Sequence, residues 1–164
     1  MITKYFFDTE FLDRGPNDLH LISLGVVSED GTREYYAEVT NAGFLATETS
    51  WLTYNVAPHL DHQNVRTLYE IGQDLLDFTK GTNPRFWGYF ADWDWVLVCH
   101  LYGGMLSCPL GHRANDIAQE AERLNVRFQT SSPRHKAIDC ARWTRDRYLQ
   151  LQKVERAKQE GLLR

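Results

Sequence analysis

Two carboxylates stand two residues apart at the end of an aromatic run near the start of the chain. Asp8 and Glu10 follow Phe6 and Phe7, and side chains two apart on a strand project to the same face. Two like charges so close repel each other unless a cation lies between them, and hard carboxylate oxygens suit Mg²⁺ or Mn²⁺. The spacing therefore favours a divalent metal site, with a solvated strand end as the alternative for this pair alone.

A third acid lies near the middle of the chain. Asp94 follows a short aromatic segment and is predicted to open a helix, a position where a carboxylate suits the helix dipole as well as a metal. Asp92 is a rival, but we expect it in the preceding loop, where its side chain would be less firmly fixed. Asp94 is therefore the preferred ligand, with a capping role as the alternative.

A histidine and an acid stand four residues apart further along the chain. His135 and Asp139 fall in a predicted helix, on one face and within reach of each other. Because the ordinary pKa of histidine is about 6.5, His135 can accept a proton from water near neutral pH and is a candidate general base. The alternative is a surface histidine paired with an acid.

The elements that must position these residues follow from hydrophobic patterning and turn-forming residues. Aromatic and β-branched runs predict three antiparallel strands, over residues 4–11, 19–28 and 33–40. Further patterns predict a helix, a strand and three more helices, over residues 67–79, 85–90, 94–101, 116–124 and 135–152. The order indicates one α/β domain with a mixed central sheet, spanning residues 1–164.

Composition narrows the functional classes. The formal net charge of −4 gives no overall positive field of the kind that sequence-independent nucleic-acid binders carry, so a nucleic acid would have to be held locally. Cys99, Cys108 and Cys140 show neither a C-x-x-C pair nor zinc-finger spacing and are predicted to be free thiols in a reducing cytoplasm. No signal-peptide pattern and no long apolar stretch occurs, so we expect neither secretion nor membrane insertion.

The acids and their surroundings resemble a known family when they are taken together. The chain is similar to the DEDD superfamily of 3'-5' exonucleases, in its histidine-containing branch, and more closely to the RNase T-like exoribonucleases of mycobacteria and phages. The strings that carry the resemblance are YFFDTEF (5–11), LISLGVV (21–27), WDWV (93–96), LYG (101–103) and HKAIDCARW (135–143). They span most of the chain in the family's order.

This resemblance implies an RNase H-like fold and a two-metal mechanism. Asp8, Glu10, Asp94 and Asp139 would hold two Mg²⁺ or Mn²⁺ ions, one to activate the attacking water and one to stabilise the leaving 3'-oxygen. His135 would take the proton of that water. The expected activity is that of a 3'-5' exoribonuclease on single-stranded 3' ends, with DNA as a second candidate substrate. Related exonucleases often form dimers, so a homodimer is the candidate assembly.

The last motif departs from the family's pattern. Family members usually place an aspartate five residues after the histidine, whereas here Asp139 is four after His135 and Cys140 occupies the expected place. A shift of one residue turns a side chain by about 100° around a helix, so Asp139 would need a local bulge to reach the metals. We take Asp139 as the fourth ligand; the alternative is a catalytically weak or inactive relative that binds nucleic acid or a protein partner.

Aromatic and basic residues beside the acids are candidates for holding a substrate. Phe11, Trp93 and Trp95 adjoin the acids and could stack on terminal bases, of which Phe11 and Trp95 are preferred. Core packing is the alternative. The candidates for phosphate contacts around the last motif are Arg134, Lys136 and Arg142.

Overall fold

A computed structural model describes residues 2–15, 17–128 and 135–162. Within these ranges, six strands form one mixed sheet: β1 Ile2–Asp13, β2 Leu19–Ser28, β3 Glu34–Val39, β4 Val65–Arg66, β5 Asn83–Gly88 and β6 Asn115–Asp116. Their order across the sheet is β4-β3-β2-β1-β5-β6. The first three strands are antiparallel, and the outer three run parallel to their inner neighbours. The predicted mixed sheet with its antiparallel meander is confirmed.

Helices flank the sheet. They are α1 Ala42–Leu45, α2 Ser50–Asn55, α3 Leu68–Thr79, α4 Asp92–His100, α5 Ile117–Arg123 and α6 Ala137–Gln159, with two short 3₁₀ helices at Ala57–His59 and Met105–Ser107. The predicted helix at 67–79 begins where Thr67 and Glu70 form a reciprocal capping box. No helix among the described residues combines the length and the apolar character that a bilayer crossing requires.

Successive side chains of β1 point alternately into two hydrophobic cores, one on each face of the sheet. Phe7 faces a core that includes Trp95 of α4, while Phe6 faces a second core formed with Tyr148 and Leu151 of α6. Because Asp8 lies two residues after Phe6, its side chain is directed to the α6 side. The sheet therefore presents its first acids to the longest helix.

Candidate metal centre

The first two acids lie on the part of β1 that extends beyond its neighbour β5. The two strands pair only as far as Phe6, which stands opposite Trp87. Asp8 and Glu10 follow that point, and the pairing of β1 with β2 shifts register immediately after Glu10. Irregularities of this kind are frequent next to functional sites because they redirect side chains. Glu10 is only 7% exposed, which is unusual for a carboxylate.

Asp94 reaches the same place from the opposite layer of the molecule. It occupies the third position of α4 and is 7% exposed. The backbone N–H of Thr9 donates a hydrogen bond to Asp94 Oδ1 at 2.8 Å, and the Thr9 hydroxyl donates to the same oxygen. Since Thr9 lies between Asp8 and Glu10, these bonds fix the third acid beside the first two. The rival residue Asp92 is exposed.

Cys140 of α6 completes the cluster. One ligand atom each from Asp8, Glu10 and Cys140 lie within 4.8 Å of one another. Gly25, the cross-strand neighbour of Asp8, permits this arrangement: a Cβ on Gly25 would lie 2.4 Å from the backbone nitrogen of Ile138. The first turn of α6 therefore rests directly on β2, and the thiol one turn into that helix is held beside Asp8.

Burial and the charges of neighbouring acids raise the pKa values of the acids in this cluster. Burial, then the charges of Asp94 and Glu10, raise the pKa of Asp8 well above its usual range. Burial and the charge of Asp94 raise the pKa of Glu10 to about 8. Burial raises the pKa of Asp94 to about 6, against the opposing effect of its bonds from Thr9. A divalent cation at this position would offset that repulsion, so the buried acids fit a hard metal ion.

The expectation that Asp139 supplies the fourth ligand is corrected by the structure. The Asp139 carboxylate binds the guanidinium of Arg142, with Nη1 2.7 Å from Oδ1. The cause is rotation around α6, because consecutive helix residues differ in direction by about 100° and Cys140 occupies the side that faces the sheet. The helix starts without a bulge that would turn Asp139 toward Asp8 and Glu10, because the backbone N–H groups of Asp139 and Cys140 both donate to the Lys136 carbonyl.

His135 precedes α6 rather than lying within it. The prediction that His135 and Asp139 form a pair on one face of a helix is therefore wrong. Its ring packs edge-on against Trp51 of α2, with ring centroids 4.8 Å apart. Partial burial, and secondarily the neighbouring His59, lower the pKa of His135. The imidazole is therefore neutral at neutral pH, which is the form that accepts a proton.

A groove of about 280 Å³ adjoins the acids. It is lined by Glu10, Phe11 and Trp51 together with their neighbours. Trp51 is 53% exposed, and sequence reasoning missed it because α2 was not predicted. Thr49, which caps α2 by accepting a bond from the Leu52 N–H, is the one local signal that could have indicated the helix.

The expectation for Trp95 is corrected in favour of its alternative. Trp95 is 7% exposed and packs in the core against Phe7 and Phe86, with ring centroids 5.8 and 5.3 Å away. Its side chain therefore cannot stack on a base. Trp93, by contrast, is 56% exposed.

The candidate phosphate contacts that the structure describes are paired with acids. Lys136 Nζ lies 2.5 Å from Asp61 Oδ2, and Arg142 binds Glu34 as well as Asp139. Arg134 lies outside the described residues.

A buried acid on β3 holds the loop that reaches Lys136. The Glu38 carboxylate, 0% exposed, accepts bonds from the backbone N–H of Asp61 at 2.7 Å and of His62 at 3.2 Å. The His62 ring nitrogen Nδ1 lies 2.9 Å from the same carboxylate. Because Asp61 pairs with Lys136, this loop is attached to the entry of α6, next to His135.

The sheet order, the flanking helices and the acidic site together define an α/β protein with an RNase H-like exonuclease fold. The model of the 3'-5' exoribonuclease Rv2179c-like domain matches residues 3–151, and the chain belongs to this family. Two similar relatives are 3'-5' exoribonuclease Rv2179c and 3'-5' exoribonuclease MT2234.1, from two strains of Mycobacterium tuberculosis. Each is 38% identical over 112 residues, a match that covers 65% of this chain and 65% of the relative.

Proposed function

We propose that the chain is a 3'-5' exoribonuclease of the histidine-containing branch of the DEDD superfamily. It hydrolyses the terminal phosphodiester of single-stranded RNA 3' ends, and of DNA by the same chemistry. The observation that carries the proposal is the convergence of Asp8, Glu10 and Asp94. Family membership supports a nuclease over the alternative of an inactive relative that only binds nucleic acid or protein.

The three acids would hold Mg²⁺ or Mn²⁺, in a site for two ions. Carboxylate oxygens are the ligands that these hard ions prefer. The positive charge that such ions supply would offset the charge that develops on the phosphate and on the departing 3'-oxygen. Asp94 is the most firmly oriented ligand, since two donors on Thr9 hold one of its oxygens.

His135 would accept the proton of the attacking water. Its lowered pKa keeps the ring neutral and able to act as a base at the pH of the cell. The edge-on contact with Trp51 restricts the orientation of the ring. The loop tied to Glu38 and the packing of α6 on Gly25 fix the backbone on the C-terminal side of the histidine.

The groove beside Glu10 would receive the terminal nucleotide. Phe11 and Trp51 line it together with Glu10. An aromatic face stacks on any base, with a contribution of about 1 to 3 kcal/mol per base. Such stacking selects single-stranded ends, whose bases are free, over duplex. It reads no 2'-hydroxyl, so both RNA and DNA ends would bind.

We also propose that the enzyme works in the cytoplasm as a homodimer. The cysteines Cys99, Cys108 and Cys140 form no disulfide, which suits a reducing compartment. Light scattering of the purified protein tests the assembly, with a monomer at micromolar concentration as the contrary result.

A cleavage assay on matched RNA and DNA oligonucleotides tests the activity. With a 5' label, the wild-type protein should produce a ladder that shortens from the 3' end in Mn²⁺ or Mg²⁺ and no products in EDTA. Asp8→Asn should reduce the rate about 100-fold or more, while Asp92→Asn, an exposed neighbour of the site, should leave it unchanged. Full activity of Asp8→Asn would refute the proposal.

A further inference from the structure

The candidate metal centre contains a thiol as well as carboxylates. Asp8, Glu10 and Cys140 form the one group of three or more potential ligands of this kind among the residues that the structure describes. Two of its members are hard carboxylates, and the third is a thiol, which becomes a soft donor when it loses its proton. The site therefore differs in kind from an all-carboxylate centre.

We infer that this centre binds thiophilic divalent cations, of the class of Zn²⁺, Co²⁺ and Cd²⁺, through a Cys140 thiolate together with the carboxylates of Asp8 and Glu10. Soft and borderline ions gain more from a thiolate than Mg²⁺ does, so the thiol selects among the ions that the acids attract. The inference rests on the proposed function, because it concerns the ion preference of the same site.

The thiol is already oriented toward the acids. Cys140 shares a hydrogen bond with Asp8, which favours the charged form of that carboxylate. When a cation binds, the S–H proton passes to solvent and the sulfur takes the cation in place of the proton. Cys140 would exchange its hydrogen bond with Asp8 for a bond to the cation, and its side chain would not have to move to reach the site.

The packing of α6 places Cys140, and not the neighbouring Asp139, beside the acids. The start of α6 packs so closely on Gly25 that a Cβ there would lie 2.4 Å from the backbone nitrogen of Ile138, and this contact defines where the helix begins on the sheet. Asp139, the neighbouring acid, is held by Arg142 at 2.7 Å. A bound ion would therefore meet sulfur at this position and not a fourth carboxylate.

The other two cysteines form a separate pair. Cys99 and Cys108 are 3% and 5% exposed and belong to the core on the α4 side of the sheet. They contact each other, and burial followed by the proximity of Cys108 raises the pKa of Cys99 to about 12. A variant that changes Cys140 alone keeps Cys99 and Cys108. Any cation binding to those two thiols would therefore persist in the variant, which makes them an internal control.

Titration with Co²⁺, followed by absorption spectroscopy, tests the inference without reference to activity. Wild-type protein should develop a thiolate-to-cobalt charge-transfer band in the near ultraviolet that saturates with one binding event. Cys140→Ser should lose the band, and its affinity for Zn²⁺ should fall by about tenfold or more, while its affinity for Mg²⁺ changes little. Cys140→Ala repeats the measurement if the serine variant is unstable, and circular dichroism checks the fold of both.

The outcomes separate this inference from the proposed function. A band that persists in Cys140→Ser, or Co²⁺ binding to the wild-type protein without a band, would overturn the inference, even if Mn²⁺ supports cleavage of RNA. A band that depends on Cys140 in a protein that cleaves no RNA with any divalent ion would uphold the inference and refute the nuclease.

Discussion

Gly25 of β2 lies directly beneath the backbone of Ile138, so that α6 starts on the sheet where a side chain would otherwise stand. This contact decides which residue of the last motif faces the acids. It brings Cys140 beside Asp8, and it leaves Asp139 on the flank of the helix with Arg142.

Gly25→Ala should therefore displace the start of α6. The new Cβ would meet backbone atoms of Ala137 and Ile138 at 2.5 and 2.4 Å, and overpacking of this kind destabilises by about 1 to 3 kcal/mol. Thermal unfolding should show the loss of stability, and Co²⁺ titration should show a weaker thiolate band. Gly43→Ala is the matched control, because its nearest neighbour, the His62 ring, would lie 3.8 Å away. An unchanged band in Gly25→Ala would show that α6 does not position the thiol.

Glu10 leads to a prediction for the pH dependence of stability. Burial and Asp94 raise its pKa from 4.5 to about 8, so protonation stabilises the folded state. That contribution is fully present below pH 4.5 and is lost as the pH rises through about 8. In EDTA, Glu10→Gln should exceed wild-type stability at about pH 9, by on the order of 2 kcal/mol, and match it at about pH 4.

Urea unfolding at the two pH values measures this difference. Saturating Mn²⁺ should remove the advantage of Glu10→Gln at high pH, because the cation stabilises the ionised site of the wild-type protein. Glu122→Gln, at an exposed position on α5, should behave as wild type throughout. A Glu10→Gln variant that is less stable than wild type at high pH in EDTA would contradict the assignment.

Trp51 leads to a prediction for substrate binding. Its exposed ring lines the groove beside Glu10 and contacts His135. Trp51→Ala should raise the KM for single-stranded RNA about tenfold or more, since it removes a stacking surface, whereas Trp51→Phe should retain most of the affinity. Steady-state kinetics on a short oligonucleotide provide the measurement. Tyr69→Ala, which removes an exposed ring on α3, is the control, and an equal effect of both alanine variants would argue against a specific groove.

The sequence predicted the elements of the fold whose hydrophobic patterns extend over many residues. Alternation predicted the three antiparallel strands, and helical spacing predicted α3 and α6. The helices α1 and α2, with 4 and 6 residues, are too short to show a helical repeat. The two-residue strands β4 and β6 exist only because a neighbouring strand offers hydrogen bonds, which a local pattern does not reveal.

The sequence predicted those parts of the candidate site that depend on local backbone geometry. Residues two apart on a strand share a face, and this placed Asp8 beside Glu10. Choosing between Asp139 and Cys140 required the contact of α6 with Gly25, which joins residues far apart in the chain. The burial of Trp95 could not be predicted for the same reason. Its position next to Asp94 in the sequence does not determine whether its ring faces the core or the site.

The most direct test of the central claim is anomalous diffraction from a crystal soaked in Mn²⁺. We expect a manganese peak between Asp8, Glu10 and Asp94, within about 2.2 Å of their carboxylate oxygens, and a weaker peak in Asp94→Asn. Manganese at other positions in the soaked crystal, with none between these three acids, would show that the acids do not form a metal site.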